Sequence, residues 1–270
     1  MCLIVAAWQA HPEYPLIVAA NRDEFFARPS QAAHWWAGDG NEAGAPHESD
    51  ILAGRDLTAG GTWLGLTRKG RFAALTNYRD PARQDGQHGQ RHSRGLLVRD
   101  ALSSAEPTAQ LLQQIAANAS RYADFNLLFS DGQQLGIHES ATGRTRLLSA
   151  GVHALSNHLL GTPWPKLELA RQRFEAAIAA PLADEQFLAL LRDDATAPDE
   201  ALPNTGVGLE WERRLSSVFV RAPGYGTRCS TLLLIGQDGL ARLREWSWDE
   251  QARPMGEVEY RFRLEPPAAP

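Results

Sequence analysis

The order of strand-like and helix-like segments is the feature that most constrains the fold of this 270-residue chain. Short runs rich in Ile, Val and Leu open the sequence, return in its middle and return again in its last third. Helical patterns fill two blocks between these runs. A Rossmann domain would alternate single strands with single helices instead. The order therefore predicts antiparallel sheets layered against helices, and two stacked sheets flanked by helices fit it.

Individual segments give this prediction its detail. Residues 2–8 and 14–21 are apolar runs separated by a Pro-containing break, which predicts an N-terminal hairpin. A second hairpin is expected at 62–66 and 72–76, with Lys69-Gly70 at its turn. Helices are predicted after Ser93, around 111–115, from Pro165 to Pro181 and at 187–191. Further strands are predicted at 126–130, 135–137, 147–148, 217–220, 230–235 and 240–243.

Composition excludes several classes of function. The net charge of -5 lacks the basic excess that nucleic-acid binding requires. No run approaches the roughly 20 apolar residues of a membrane span, and the N-terminus lacks a basic signal region. No cysteine or histidine cluster has the spacing of a zinc site, and His88 and His92, four residues apart in a charged loop, form a loose pair of the kind that is usually solvent-exposed and only occasionally ligates metal or haem. We therefore expect one cytoplasmic domain over 1–270 with free thiols, no metal and no membrane span.

The second residue, Cys2, is a candidate nucleophile. Removal of Met1 would leave a thiol and a free α-amine on one residue. A thiol with a pKa of about 8.5 needs a base to become a nucleophile. An α-amine with a pKa of about 7.7 to 8.0 can accept that proton near neutral pH. The alternative is an inert residue behind the initiator, as in many proteins.

A polar cluster ends the second apolar run at Asn21-Arg22-Asp23-Glu24, which is either a site or a solvated turn. Together with other segments it resembles the NRDE family, also called the Transport and Golgi organisation protein 2 family. The matching segments run along most of the chain and are Met1-Cys2-Leu3-Ile4, Ala53-Gly54-Arg55-Asp56, Gly60 to Gly65, Thr76 to Pro81, Ser93-Arg94-Gly95, Leu155-Ser156-Asn157, Pro163 to Lys166 and Tyr225 to Arg228.

This resemblance implies an α+β fold similar to that of the N-terminal-nucleophile (Ntn) hydrolases, a four-layer α-β-β-α sandwich of antiparallel sheets. The pattern is most similar to the cysteine branch, which includes bile-salt hydrolases and penicillin V acylases. In that branch an arginine precedes the active-site Asn-x-Asp stretch, and here Ala20 fills its place. The resemblance implies an oxyanion donor at Asn77, and it assigns active-site positions to Cys2, Asp23, Asn77, Asn157 and Arg228.

The chemistry of these residue types is coherent in itself. A fixed amide donor aimed at the oxyanion of an attacked carbonyl supplies about 3 kcal/mol. Asp23 would orient the α-amine, and the guanidinium groups of Arg22, Arg55 or Arg228 would bind an anionic group. Each residue taken singly also has a structural explanation, such as a turn asparagine or a surface ion pair. Cys229, at the head of an apolar strand, is predicted to be a packed residue.

Three functions remain open at this point. The first is a cysteine Ntn amidohydrolase or acyltransferase that acts on a small amide or thioester through an acyl-Cys2 intermediate. The second is a non-catalytic carrier in which the same pocket holds haem, acyl-coenzyme A or another hydrophobic anion, in keeping with the family's described roles in haem handling and lipid metabolism. The third, an interaction module, lacks a supporting apolar or low-complexity tract. None of the three requires a redox cofactor, and the oligomeric state is left open.

Overall fold

A computed structural model of the protein describes residues 2–36, 50–80 and 91–265. Its strands are β1 (Cys2–Trp8), β2 (Leu16–Phe25), β3 (Ser30–Trp35), β4 (Ile51–Asp56), β5 (Leu64–Thr67), β6 (Phe72–Asn77), β7 (Phe125–Ser130), β8 (Leu135–Glu139), β9 (Arg144–Leu147), β10 (Gly151–Leu155), β11 (Arg221–Ala222), β12 (Tyr225–Ile235), β13 (Leu240–Trp248) and β14 (Pro254–Arg263). Its α-helices are α1 (Arg94–Ser103), α2 (Thr108–Asn118), α3 (Pro165–Ala179), α4 (Asp184–Leu191) and α5 (Leu209–Leu215).

The strands form two antiparallel sheets. Sheet I has the order β10-β1-β2-β12-β13-β14, and the short strand β11 pairs with β12. Sheet II is a meander in which β3 to β9 follow one another in chain order. Because sheet I combines strands from both ends of the chain, Cys2 of β1 lies two strands away from Cys229 of β12.

The two sheets stack face to face and a helical layer covers each outer face. Apolar side chains such as Val18, Leu66 and Leu233 fill the space between the sheets. Phe174 of α3 and Phe187 of α4 pack on the outer face of sheet I, while α1 and α2 cover sheet II. Burial of these alternating apolar residues is the main source of stability in such a sandwich. The layers α-β-β-α confirm the predicted fold class.

Strand ends from both sheets converge at one edge of the sandwich. Strand β1 begins there, and β2 ends beside it in antiparallel register. The amide of Asn157, just past β10, donates from Nδ2 to the backbone oxygen of Asn77 at the end of β6 at 2.8 Å, which ties sheet I to sheet II. No helix in the described ranges is long and apolar enough to cross a membrane.

Most predicted elements are present, and several strands were not predicted. Both predicted hairpins form, since β1 pairs with β2 and β5 pairs with β6. The strands β3, β4, β10, β11 and β14, together with the helix α5, were missed. Strand β14 alternates Val258, Tyr260 and Phe262, which pack on the core between the sheets, with exposed charged residues, so its strand pattern was present in the sequence and was overlooked.

The predicted strand at 217–220 is wrong. This buried segment runs as a bend, although Val218, Phe219 and Val220 are all at most 3% exposed. Side chains take up carbonyl groups that a strand ladder would use: Asn21 donates from Nδ2 to the oxygen of Val218 at 2.9 Å, and Ser217 donates to that of Phe219 at 2.7 Å. Apolar periodicity alone does not reveal such competition from side-chain donors.

Candidate active site

Cys2 lies at the convergent edge, in a cavity of about 340 Å³. As the first residue of β1 it pairs with Arg22 of β2, and Arg22 pairs in turn with Cys229 of β12. Side chains of directly paired residues share a face, so Arg22 separates the two thiols laterally. Cys2 is partly exposed to the cavity, whereas Cys229 is 5% exposed, as expected for a packed residue.

The environment of the Cys2 thiol requires a base for its activation. Burial raises the pKa of the Cys2 thiol; the Asp23 carboxylate acts in the same direction, and the Arg22 guanidinium and a hydrogen bond from the Asp23 backbone amide oppose it. A thiol with a raised pKa is largely protonated at neutral pH and is a weak nucleophile. Deprotonation by a neighbouring group is therefore the step that the site must provide.

Asn157 holds the backbone nitrogen of Cys2. Its Oδ1 accepts a hydrogen bond from that nitrogen at 3.3 Å, and the side chain is fully buried. Its Nδ2 is committed to the oxygen of Asn77. In a chain without Met1, the nitrogen that Asn157 contacts is the α-amine, so this asparagine is placed to orient the amine rather than to donate to an oxyanion.

Asn77 lines the cavity from the end of sheet II. The residue is half-buried, and its side-chain amide makes no hydrogen bond to another described residue. An amide donor that faces the cavity of the thiol can bind an oxygen of a ligand without losing an existing partner. This geometry suits the oxyanion donor that the resemblance implies.

Asp23 is buried beside Cys2 and is 2% exposed. Thr227 donates from Oγ1 to its Oδ1 at 2.7 Å, and the Tyr225 hydroxyl donates to its backbone oxygen at 3.1 Å. Burial raises the pKa of Asp23, while Lys166 and Arg22 are among the groups that lower it. A buried carboxylate next to the nucleophile is a group that favours positive charge nearby.

The charged groups of the cavity lining are arginines together with the carboxylates of Asp23, Glu24 and Asp56. Arg22 is 5% exposed, stacks 4.4 Å from the ring centre of Trp63, and has a buried Nη1 without a hydrogen-bond partner among the described residues. Arg28 pairs with Asp56 at 2.6 Å, and Arg94 donates to a backbone oxygen at 3.0 Å. With Arg91, four arginines line the described cavity. Such a site favours a ligand with an anionic group.

Sequence reasoning missed Arg28, Arg91 and Arg94 as site residues. The segment Ser93-Arg94-Gly95 carried a signal, since it belongs to the matching segments, but it was assigned no role. The packing of α1 against β5 and β6 brings Arg94 towards Cys2, and this long-range contact is not visible as a local pattern.

Two predicted site residues lie outside the cavity lining. Arg228 donates from Nη1 to the backbone oxygens of Phe25 and Arg28, both at 2.9 Å, and lines a neighbouring cavity of about 330 Å³. A register shift between Thr227 and Cys229 sets its direction. Arg55 stacks on the ring of Trp36 with 4.6 Å to the ring centre. The structure therefore brings Arg228 and Arg55 to the scaffold of the site rather than to the thiol.

Metal ligation has no visible basis in this part of the chain. No group of three or more His, Cys, Asp or Glu side chains in 2–36, 50–80 and 91–265 is arranged to hold a metal ion. His92 is exposed, while His88 and Met1 lie outside the described residues. The chemical groups available at the site are thus a thiol, amides, carboxylates and cations.

Comparisons with known proteins show to which family the chain belongs. The model of the family described as Transport and Golgi organisation 2 matches residues 1–250. The Transport and Golgi organization protein 2 homolog of Homo sapiens is 34% identical over 98% of this chain and 100% of its own length. The Bos taurus homolog is 35% identical over 92% and 93%, and the Drosophila melanogaster protein is 28% identical over 88% and 89%.

Solved structures resemble the chain more distantly. The mutant C2A of the conjugated bile acid hydrolase from Clostridium perfringens is 10% identical and aligns over 98% of this chain and 97% of that chain, with a TM-score of 0.48. An N-acylethanolamine-hydrolyzing acid amidase ortholog from Caenorhabditis elegans is 11% identical over 86% and 92%, with a TM-score of 0.36. The family match and the curated relatives decide the assignment, and the chain belongs to the Transport and Golgi organisation 2 family.

Proposed function

We propose that the mature protein is a cysteine Ntn amidohydrolase or acyltransferase that acts on a small amide or thioester bearing an anionic group. The observation that carries this proposal is the contact between the nitrogen of Cys2 and Oδ1 of Asn157, at the edge of a cavity that also holds the thiol. In a chain that begins at Cys2, nucleophile and base would lie on one residue, with the base already oriented.

Acylation of Cys2 follows from these positions. The α-amine takes the proton of Sγ, and Sγ then forms a bond to the carbonyl carbon of the substrate. The negative charge moves to the carbonyl oxygen, where the amide of Asn77 donates a hydrogen bond. When the C–N bond breaks, the leaving amine takes the proton back from the α-ammonium. The product of this half-reaction is a thioester on Cys2.

Deacylation reverses the same proton path. The α-amine removes a proton from a water molecule, whose oxygen attacks the thioester carbon. The C–S bond breaks, a carboxylic acid leaves, and the proton on the α-ammonium returns to Sγ. If an amine enters in place of water, the product is a new amide, and the enzyme acts as an acyltransferase.

The cavity arginines define the substrate class within this proposal. Arg22, Arg28 and Arg94 line the same cavity as the thiol, and the Nη1 of Arg22 is buried without a hydrogen-bond partner among the described residues. A buried guanidinium donor that lacks an acceptor favours a ligand carboxylate or phosphate. We therefore expect an amide whose acyl or leaving group carries such an anion.

The arginines that line the cavity also support a carrier function. The four arginines that favour an anionic substrate would also hold the carboxylates of haem or the phosphates of acyl-coenzyme A. A carrier needs the cations but does not need the thiol. The variant Cys2→Ala therefore separates the two functions.

The test compares a charged with a neutral substrate. N-hexanoylglycine and its uncharged analogue N-hexanoylglycinamide would be assayed for hydrolysis, and the acyl-enzyme would be trapped by acid quench and located by peptide mass. We expect acylation of Cys2, loss of turnover in C2A and retention of turnover in C229A. Arg94→Gln should raise the KM for the charged substrate about tenfold, as loss of a charged hydrogen bond costs about 1.5 kcal/mol or more. Arg99→Gln, on the exposed side of α1, is the matched control.

The opposite results support the carrier. If neither amide is hydrolysed, no adduct forms on Cys2, and C2A binds haem or hexanoyl-coenzyme A as tightly as the unaltered protein, the hydrolase proposal is wrong. Hydrolysis that persists in C2A would also contradict it.

A further inference from the structure

Trp63 is a half-buried side chain to which the proposed mechanism gives no role. It lines the cavity of about 340 Å³ that holds Cys2 (the Cys2 cavity). It also lines the neighbouring cavity of about 330 Å³ that contains Arg228 (the second cavity). Among the residues that the structure describes, Trp63 alone belongs to both linings. Its indole therefore stands where the two cavities meet.

The indole of Trp63 fills the space between the two sheets. On the side of sheet II it lies on the backbone of Gly54 in β4, where a Cβ atom would come within 2.2 Å of Cη2 of the ring. On the side of sheet I, the guanidinium carbon of Arg22 lies 4.4 Å from the ring centre. The backbone oxygen of Trp63 accepts a hydrogen bond from Leu75 of β6 at 2.9 Å. The ring is thus held by contacts from both sheets.

The two cavities lie side by side on one face of sheet I. Directly paired residues point to the same face, and one row of such pairs crosses the sheet. The row consists of Cys2 of β1, Arg22 of β2, Cys229 of β12, Ser247 of β13 and Gly256 of β14. The first two residues line the Cys2 cavity, and the last three line the second cavity. Since neighbouring strands lie about 4.8 Å apart, Cys229 is roughly 10 Å from Cys2 along this row.

The stack of Arg22 on Trp63 has the properties of a fixed wall across the row. Arg22 is 5% exposed, and the attraction between a guanidinium and an indole is strongest when the pair is shielded from water. Gly54 lies directly behind the ring, so the indole cannot move towards sheet II. A ligand group that is longer than the Cys2 cavity would have to enter the space that the ring occupies.

We propose that Trp63 is a specificity-determining residue: its indole closes the Cys2 cavity towards the second cavity, so that Cys2 reacts with compounds that carry a short alkyl group and excludes those that carry a long one. The consequence for substrates rests on the proposed function, whereas the wall itself does not. In an N-acylglycine the cavity arginines bind the carboxylate, and the acyl chain is left to extend along the row. Beyond the wall, the apolar side chains of Trp248, Met255 and Val258 would accommodate a longer chain.

The first experiment measures access to Cys2 without any substrate. Iodoacetamide and N-octyliodoacetamide share the reacting group and differ in the alkyl chain, and the rate of Cys2 alkylation by each would be followed by peptide mass. We expect the unaltered protein to react more slowly with the octyl reagent. Trp63→Ala should raise the rate of the octyl reagent relative to iodoacetamide about tenfold, which is the gain expected from the burial of about two methylene groups. The ratio of the two rates cancels any change in the reactivity of the thiol.

Two further variants make this result specific. Trp35 is also half-buried and stacked on an arginine, since the guanidinium carbon of Arg68 lies 3.9 Å from its ring centre, but it lines neither cavity. Trp35→Ala is therefore the matched control and should leave the ratio unchanged. Trp63→Phe keeps an aromatic ring of smaller size between the sheets and should give a smaller increase than Trp63→Ala. If Trp63→Ala does not fold, the phenylalanine variant decides, and an unchanged ratio in either folded variant overturns the proposal.

The second experiment measures the consequence for turnover. The unaltered protein should hydrolyse N-hexanoylglycine with a higher kcat/KM than N-decanoylglycine, and Trp63→Ala should reduce this preference about tenfold. If the alkylation ratio changes as expected but neither amide is hydrolysed, the wall stands and the hydrolase proposal fails. If both amides are hydrolysed on Cys2 and Trp63→Ala leaves the preference and the alkylation ratio unchanged, the role of Trp63 fails and the hydrolase proposal stands.

Discussion

Asp23 and Asp184 are two carboxylates at sheet I whose surroundings shift their pKa values in opposite directions. Asp184, the first residue of α4, receives hydrogen bonds from Arg242 at 2.7 Å and from Arg244 at 2.5 Å. Although partial burial opposes the effect, these bonds hold the pKa of Asp184 below its usual range. Asp23 is more deeply buried, and burial raises its pKa.

The difference separates a stabilising from a functional arrangement. Around Asp184 the cations touch the carboxylate, so little free energy remains for another partner. The Asp23 carboxylate, in contrast, also acts on the thiol of Cys2 and on the ammonium of Lys166. Buried ionisable groups whose pKa values are shifted by one another are typical of sites that bind or transform ligands.

The largest expected effect concerns activity. Asp23→Asn should lower kcat/KM for a hydrolysed amide by at least about 10²-fold, because general-base catalysis contributes about 10² to 10⁴-fold and depends on the charge next to the amine. Asp184→Asn should change kcat/KM less than about twofold, since this carboxylate is paired with two arginines and does not line the cavity of Cys2. Comparable losses in both variants would erase the distinction drawn between the two carboxylates.

Asn77 offers a second contrast between the site and the scaffold. Asn77→Ala should lower kcat by about 10² to 10³-fold with little change in KM, since it would remove an oxyanion donor. Asn118→Ala, at the exposed end of α2, is the matched control and should have no effect. Steady-state kinetics on both variants checks this. An N77A enzyme with normal kcat would remove Asn77 from the mechanism.

The lowered pKa of Lys166 predicts that the free energy of unfolding depends on pH in alkaline solution. Its pKa is about 8 in the folded protein against an ordinary 10.5, so between these values the unfolded chain binds more protons. The unfolding free energy should therefore rise by roughly 3 kcal/mol at most from pH 8 to 10.5 through this residue. Urea unfolding of the unaltered protein and K166M should show the rise only in the former. The same slope in both would mean that Lys166 titrates normally.

The smallest effect is the loss of stability in Asp184→Asn. Removal of the charge should lower the unfolding free energy by about 1 to 2 kcal/mol at pH 7, because two hydrogen bonds to charged groups weaken. Since the pKa of Asp184 is lowered on folding, the stabilisation exists above its ordinary pKa of 3.8 and is lost as the pH falls below it. The deficit of D184N should thus vanish in acid. If the unfolding free energy of D184N fell further below that of the unaltered protein as the pH was lowered, the lowered pKa of Asp184 would be contradicted.

The sequence predicted the layers and part of the site because both depend on local patterns. Two apolar runs with a Pro-containing break between them predict the hairpin of β1 and β2. The polar residues at the end of β2 indicate the edge of the sheet where Cys2 lies. Local pattern does not predict which way a side chain turns at a bulge, as at Arg228, whose guanidinium serves three backbone oxygens of the β2–β3 connection. It also does not predict the burial of Lys166, which follows from the packing of α3 on sheet I.

The mass of the purified, active protein tests the central claim most directly. Catalysis by the α-amine requires a chain that begins at Cys2, so the account predicts an intact mass lower by one methionine, with activity confined to that species. The two forms can be separated, or made separately by expression behind a cleavable tag. An active species that retains Met1, with the nitrogen of Cys2 in a peptide bond, would contradict the account.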